Sequence, residues 1–180
     1  MVFAGGPWLP TLFPELLGRW LKVTRQEVAY FGTPSGNHGY DHGHLPPWAE
    51  FGEDVVYGIP GNEYRGFKIA EDVHGPAFDP SHDERQIRAS TIDRLRQHLG
   101  RRFPALAAAP LLESRVCQYS VTPDNNFLID QHPEARNVLL LGGGSGHGFK
   151  HGPALGEYVS GLLVSHTAAD TRFALARSLT

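Results

Sequence analysis

A glycine-rich run, GGGSGHGFKHGP at 142–153, joins an apolar stretch to a helical one and carries His147 and Lys150. Glycine lets a backbone come close to a ligand. A helix N-terminus after such a loop offers unpaired N–H groups and partial positive charge, which suit a phosphate or a developing anion. The competing reading is a tight structural turn. The register is not that of a dinucleotide fingerprint: from Gly144 it runs Gly144, Gly146, Phe149, with no acidic residue about 20 positions on at a second strand end. Lys150 stands where the helix dipole disfavours a cation, a local conflict of the kind functional sites carry, although a solvated lysine answers it equally well. Cys117 lies in an alternating apolar stretch, with Tyr119 two residues on and so on the same side. A lone buried Cys is ordinarily a small hydrophobe. Lys68 and Asp72 flank a short strand, where surface charge is the plain reading. His38, Asp41, His42 and His44 cluster in one loop. Their residue types suit a metal, but zinc sites draw on two elements and this loop is Gly-rich, so no metal ligand is assigned. Neither GxSxG, HExxH nor a P-loop occurs.

The elements that must hold these groups follow from periodicity. Val2 to Ala4 reads as a buried strand needing neighbours on both sides, then a Gly5-Gly6-Pro7 turn, then a helix over Trp8 to Leu17. Lys22 to Phe31 alternates and predicts a half-buried strand. Thr33 to Pro47 is loop. Val55 to Ile59 and Arg65 to Ala70 predict a hairpin about Pro60-Gly61-Asn62. Asp83 to Leu99 predicts a helix beginning near Ser81 or Asp83, with Gly100 as its C-cap. Leu111 to Val121 alternates as a strand. Phe127 to Ile129 and Val138 to Leu141 are wholly apolar, as strands buried on both faces are. Ala154 to Leu163 predicts a helix with Leu155, Val159, Leu162 and Leu163 on one side.

Composition bounds the class. The 180 residues are 41% hydrophobic and 19% charged, enough apolar surface to fold. A net charge of −3 argues against a nucleic-acid partner. The single Cys excludes an internal disulfide and a CxxC zinc site. No run approaches the roughly 18 apolar residues of a membrane helix. The N-terminus lacks a signal peptide's basic start, and prolines interrupt its apolar stretch. The cytoplasm is the expected compartment.

Taken together, CQYS at 117–120, TPDNNFLIDQHPE at 122–134 and NVLLLGGGSGHGFKHGPALGE at 137–157 resemble the C-terminal half of the flavin-dependent amine oxidases of the D-amino-acid oxidase superfamily, the sarcosine oxidase group. Upstream, VFAGGPW at 2–8 is similar to the strand and glycine turn beside the flavin. LKVTRQEVAYF at 21–31 is similar to the first long strand of the substrate domain. The resemblance covers nearly the whole chain. It implies FAD, often tethered through a cysteine sulfur, for which Cys117 is the match. Contacts to the flavin are implied for Gly5, Gly6, Gly142, Gly143, Gly144, Gly146, His147, Gly148, Phe149 and Lys150. Lys150 matches the lysine that binds the substrate carboxylate and His147 an active-site histidine. Lys68 matches the lysine that helps activate dioxygen, and Tyr57 and Tyr119 match tyrosines lining the cavity. A cation at that place stabilises developing negative charge, commonly the largest catalytic contribution. The cofactor supplies the hydride chemistry.

Two departures accompany the resemblance. Asp72, with His74 two places later, stands where the group carries a second histidine. The family's N-terminal GxGxxG unit for the FAD pyrophosphate, and an arginine that shares carboxylate binding, have no counterpart here. The expected fold is mixed α/β (α+β): segments 1–19 and 122–180 belong to an FAD-binding α/β domain, and 20–121 form an antiparallel substrate domain. The expected function is oxidation of the C–N bond of a secondary amine or amino acid by O2, giving hydrogen peroxide. The chain is expected to be a C-terminal fragment, inactive alone. The alternative is an inactive remnant, or a subunit needing a partner chain that carries the nucleotide-binding half.

Overall fold

The computed structural model describes residues 1–61, 65–165 and 169–177. Its fold is mixed α/β, with eight strands and four α-helices among those residues. The chain divides into two compact units: Met1–Thr24 with Ala77–Ser81 and Gln118–Thr180, and Arg25–Pro76 with His82–Cys117.

The first unit is built on a three-stranded sheet. Its strands are β1 (Val2–Phe3), β7 (Leu128–His132) and β8 (Ala135–Gly142), in the order β1-β8-β7. β1 runs parallel to β8, with Val2 opposite Leu139, and β7 runs antiparallel to it. Among the described residues β1 has β8 as its one neighbour in this sheet. The apolar runs of β7 and β8 are buried on both faces, as their composition required. Leu128 and Leu140 face a cluster with Leu9, Leu17 and Leu21. Ile129 and Leu139 face the opposite one, with Val159 and Leu162 of α4 (Gly152–Ser165). Leu163 does not join them: it is 47% exposed, because α4 turns its flank to solvent there. The expected helix over Trp8 to Leu17 is split into α1 (Leu9–Leu12) and α2 (Pro14–Leu17). Pro14 bars Phe13 from helical backbone, and Phe13 sits at φ −130, ψ 65.

The second unit carries a five-stranded sheet in the order β3-β4-β5-β2-β6. The strands are β2 (Lys22–Phe31), β3 (Trp48–Glu50), β4 (Val55–Ile59), β5 (Phe67–Asp72) and β6 (Leu111–Val121). β2 and β6 have the bounds their alternation predicted. β4 and β5 pair antiparallel as the expected hairpin, though β5 starts at Phe67 and Asn62 of its turn lies outside the described residues. β3, a three-residue edge strand, had no pattern to announce it. One sheet face packs Ala29, Phe31, Phe67 and Ile69 against Leu95 and Leu99 of α3 (Ala89–Arg102).

α3 corrects the sequence reading at both ends. It begins at Ala89, not near Ser81 or Asp83. The Arg25 guanidinium takes the carbonyls of Glu84 (2.6 Å) and Gln86, which holds that segment out of the helix. Gly100 lies inside the helix, which ends before Pro104, a residue that disfavours helical backbone at Phe103. Glu27 of β2 caps the start, accepting from the Arg88 N–H (3.1 Å) and the Thr91 hydroxyl.

A second polar tie stabilises the first unit. Arg177 makes a two-pronged pair with Asp124 (2.6 Å for each prong) and stacks its guanidinium 4.4 Å from the centre of the Trp20 ring. The Arg177 hydrogen bonds hold the Asp124 carboxyl far below the usual carboxylate range. A carboxyl depressed on folding stabilises fully above its unfolded pKa, about 3.9, and loses that contribution as pH falls below it. Thermal melts from pH 6 to pH 2.5 should therefore show a steeper acid decline for the native chain than for Asp124→Asn. Parallel acid limbs would contradict the pair's role.

Candidate active site

In the second unit the sheet face opposite α3 carries the reactive groups. Core residues Phe67 and Ile69 alternate with Lys68 on β5, and Ala29 and Phe31 with Tyr30 on β2, so Lys68 and Tyr30 point away from α3. Lys68 is directly opposite Tyr30 on one side and Ile59 on the other. The Lys68 ammonium lies 5.2 Å from the centre of the Tyr57 ring. Burial draws Lys68 below the ordinary lysine range, against an opposing pull from Cys117; Arg115 and Arg65 reinforce the lowering. Among the described residues no carboxylate pairs with it. Tyr57 is pushed above its ordinary range by burial first, then by Asp72, Cys117 and Tyr30. Cys117 of β6 is exposed, which corrects the sequence reading of a buried thiol. Its neighbour Val116 takes the inward position instead. Tyr30, Arg65 and Arg115 were missed from sequence. Arg65 and Arg115 lie 5.1 and 5.9 Å from the Tyr30 ring centre, and both pair with Glu113. The parity of the β2 strand held the signal for Tyr30.

In the first unit the glycine-rich loop follows β8. A short 3-10 turn over Gly148–His151 sets Lys150 just before α4. Ser145 is buried at φ 45 and pins the loop: its N–H donates to the Ser120 carbonyl (3.0 Å) and its hydroxyl to Gly143 O (3.1 Å). The Thr122 N–H donates to Ser145 Oγ (3.3 Å), and the Thr122 hydroxyl to Asn126 O (2.7 Å). The 122–126 turn is thus tied to the loop. The His147 ring bonds through Nε2 to the Asn125 carbonyl (2.8 Å) and packs against Phe127 and His151.

The loop glycines serve different ends. A Cβ at Gly142 would meet Leu9 Cδ1 at 2.5 Å and one at Gly143 would meet Thr122 Cγ2 at 2.5 Å, so packing alone explains those two. Gly146, at φ +88, lies against the Tyr119 ring. Gly146→Ala should therefore lower stability by about 1–3 kcal/mol, read from thermal or denaturant unfolding; an unchanged midpoint would contradict the packing. By contrast, Gly6 has open space where a Cβ would point, Gly144 and Gly148 have only ordinary contacts, and Phe149 is fully exposed. The histidine loop gives His38 Nδ1 to Asp41 (2.8 Å), and no group of three or more metal-ligating side chains occurs among the described residues.

One unit thus presents an antiparallel sheet with a lysine, a tyrosine and an accessible thiol on the face away from α3, and the other a glycine loop leading into a helix. The chain belongs to the family described as DAO, FAD dependent oxidoreductase, which matches residues 1–162. It is 32% identical over 168 residues to monomeric sarcosine oxidase of Arthrobacter sp., covering 92% of this chain and 43% of that protein. It is 31% identical to peroxisomal sarcosine oxidase of Homo sapiens, covering 93% of this chain and 44% of that one. The chain thus spans less than half the length of these relatives. Its fold matches a modified fructosyl peptide oxidase from Aspergillus nidulans at a TM-score of 0.82 and 19% identity, over 99% of this chain and 48% of that one.

The residues present fit a flavin. Lys68 is a half-buried cation with no carboxylate partner among the described residues, suited to an electron-rich ring, and the Cys117 thiol is accessible on the same sheet. In the other unit, Gly6 has open space where a side chain would stand.

Proposed function

We propose that the protein containing this chain oxidises the C–N bond of a secondary amine or amino acid, sarcosine-like in type, with O2 as acceptor and hydrogen peroxide as product. The observation that carries this reading is Lys68: half-buried, without a carboxylate partner among the described residues, and set beside Tyr57 on the sheet face that also bears Cys117. FAD, when bound, would accept the hydride from the C–N bond. Cys117 would tether the flavin through its sulfur. Lys68 would stabilise the negative charge that develops as dioxygen is reduced. Lys150 would bind the substrate carboxylate, His147 would hold the substrate amine, and Tyr57 and Tyr119 would line the cavity. Asp72, whose charge reaches Tyr57, favours a substrate amine in its cationic form. We assign 1–19 and 122–180 to the FAD-binding domain and 20–121 to the substrate domain. The 180 residues contain no GxGxxG loop, so the chain alone and the chain with a source of that loop are separate samples.

Anaerobic mixing of the flavin-loaded protein with sarcosine should bleach the flavin band. Admitting air should restore it with stoichiometric peroxide. A flavin band unmoved by every carboxylate-bearing secondary amine would overturn the substrate class.

A further inference from the structure

We propose that Asn125, Asp124 and Arg177 are positioning residues that fix the tautomer of His147. A backbone carbonyl can only accept, so the 2.8 Å contact between His147 Nε2 and Asn125 O requires the proton on Nε2. In the neutral ring that leaves the lone pair on Nδ1. The acceptor's direction is set by an uncommon backbone: Asn125 sits at φ 59, a left-handed conformation that asparagine tolerates best among residues with a side chain.

That conformation is held from both sides. Before it, the Asp124 carboxylate accepts from the Asn126 N–H and side-chain amide (3.1 Å each) and from both prongs of Arg177. After it, the Asn126 carbonyl accepts from the Thr122 hydroxyl (2.7 Å) and from Arg177 Nη2 (3.4 Å). Arg177 is buried with its guanidinium over Trp20, and also donates to the Ala174 carbonyl (3.0 Å). A residue 53 positions downstream of Asp124 therefore determines where the Asn125 carbonyl points. His151 meets the His147 ring edge-on at 5.9 Å, and Lys150 follows three residues on in the sequence. Phe127 screens the ring from Phe173, over which Arg172 lies.

The inference deepens the reading of His147 as a site histidine and rests on it. Its test does not use activity. The full chain, labelled with nitrogen-15 at histidine, should show in the neutral form of the His147 ring a proton on Nε2 and an unprotonated Nδ1. Arg177→Lys, which keeps the charge but loses the fork, should lower the fraction of the neutral ring protonated on Nε2, and Asp124→Asn likewise, while far-ultraviolet circular dichroism stays native. A proton on Nδ1 in the native chain would overturn the inference without any variant. So would an Nε2–H fraction unchanged in both folded variants. Neither result would bear on flavin binding, which absorption spectra decide.

Discussion

Glu27→Ala should destabilise the second unit by about 3–5 kcal/mol. The Arg25–Glu27 pair has both side chains only 9% exposed. Removing one member of a buried pair strips the other of its near partner, which costs far more than the pair contributes net. The loss does not stop there. Glu27 also receives the Arg88 N–H and the Thr91 hydroxyl, so its removal uncaps α3. Burial pushes the Glu27 carboxyl up, but its bonds to Thr91, Arg25 and Arg88 outweigh that and hold it below the ordinary range. Its contribution is therefore present above an unfolded pKa of about 4.3 and lost as pH falls below it. Glu27→Gln, which keeps an acceptor, should lose markedly less than Glu27→Ala. Denaturant unfolding at pH 7 is the measurement, and a loss under about 1 kcal/mol for Glu27→Ala would show that the pair does not organise the helix.

Lys68→Met should slow reoxidation of the reduced flavin by O2 by about 10²–10³-fold, the range for losing one preorganised electrostatic group. Methionine keeps the length of the side chain and removes its charge, and the Tyr57 ring beneath it is a comfortable neighbour for a thioether. Stability should hold or rise, since burial already opposes the Lys68 charge. The substrate's reduction of the flavin should change much less. Stopped-flow mixing of reduced enzyme with oxygenated buffer separates the two half-reactions. Equal slowing of both would make Lys68 a substrate ligand instead, and no slowing would remove it from the site.

Local pattern carried some of this protein and tertiary contact the rest. The alternation of Lys22–Phe31 and Leu111–Val121 marked β2 and β6 to the residue, because each buries one face and wets the other. The start of α3 was hidden because Arg25, some sixty residues upstream, takes the carbonyls that a helix would need. Val116 and Cys117 are both apolar, and neither alternation nor hydropathy says which of two such neighbours faces the core. Lys68, Tyr57, His147 and Lys150 were singled out by motif resemblance, not by local pattern. Tyr30 and the two arginines beside it needed the strand order. Asn125 and Ser145 hold left-handed backbone that residue type alone does not announce, and the Asp124–Arg177 tie joins segments with no shared pattern.

The central claim, that the open sheet face bearing Lys68 and Cys117 is the flavin face, is tested most directly by acid precipitation of the flavin-loaded protein. The account predicts a yellow pellet that keeps its flavin absorbance through washing, and a colourless pellet from Cys117→Ser with free flavin in the supernatant. Free flavin from the native protein, with no absorbance left in the pellet, would contradict the covalent link at Cys117 on which that placement rests.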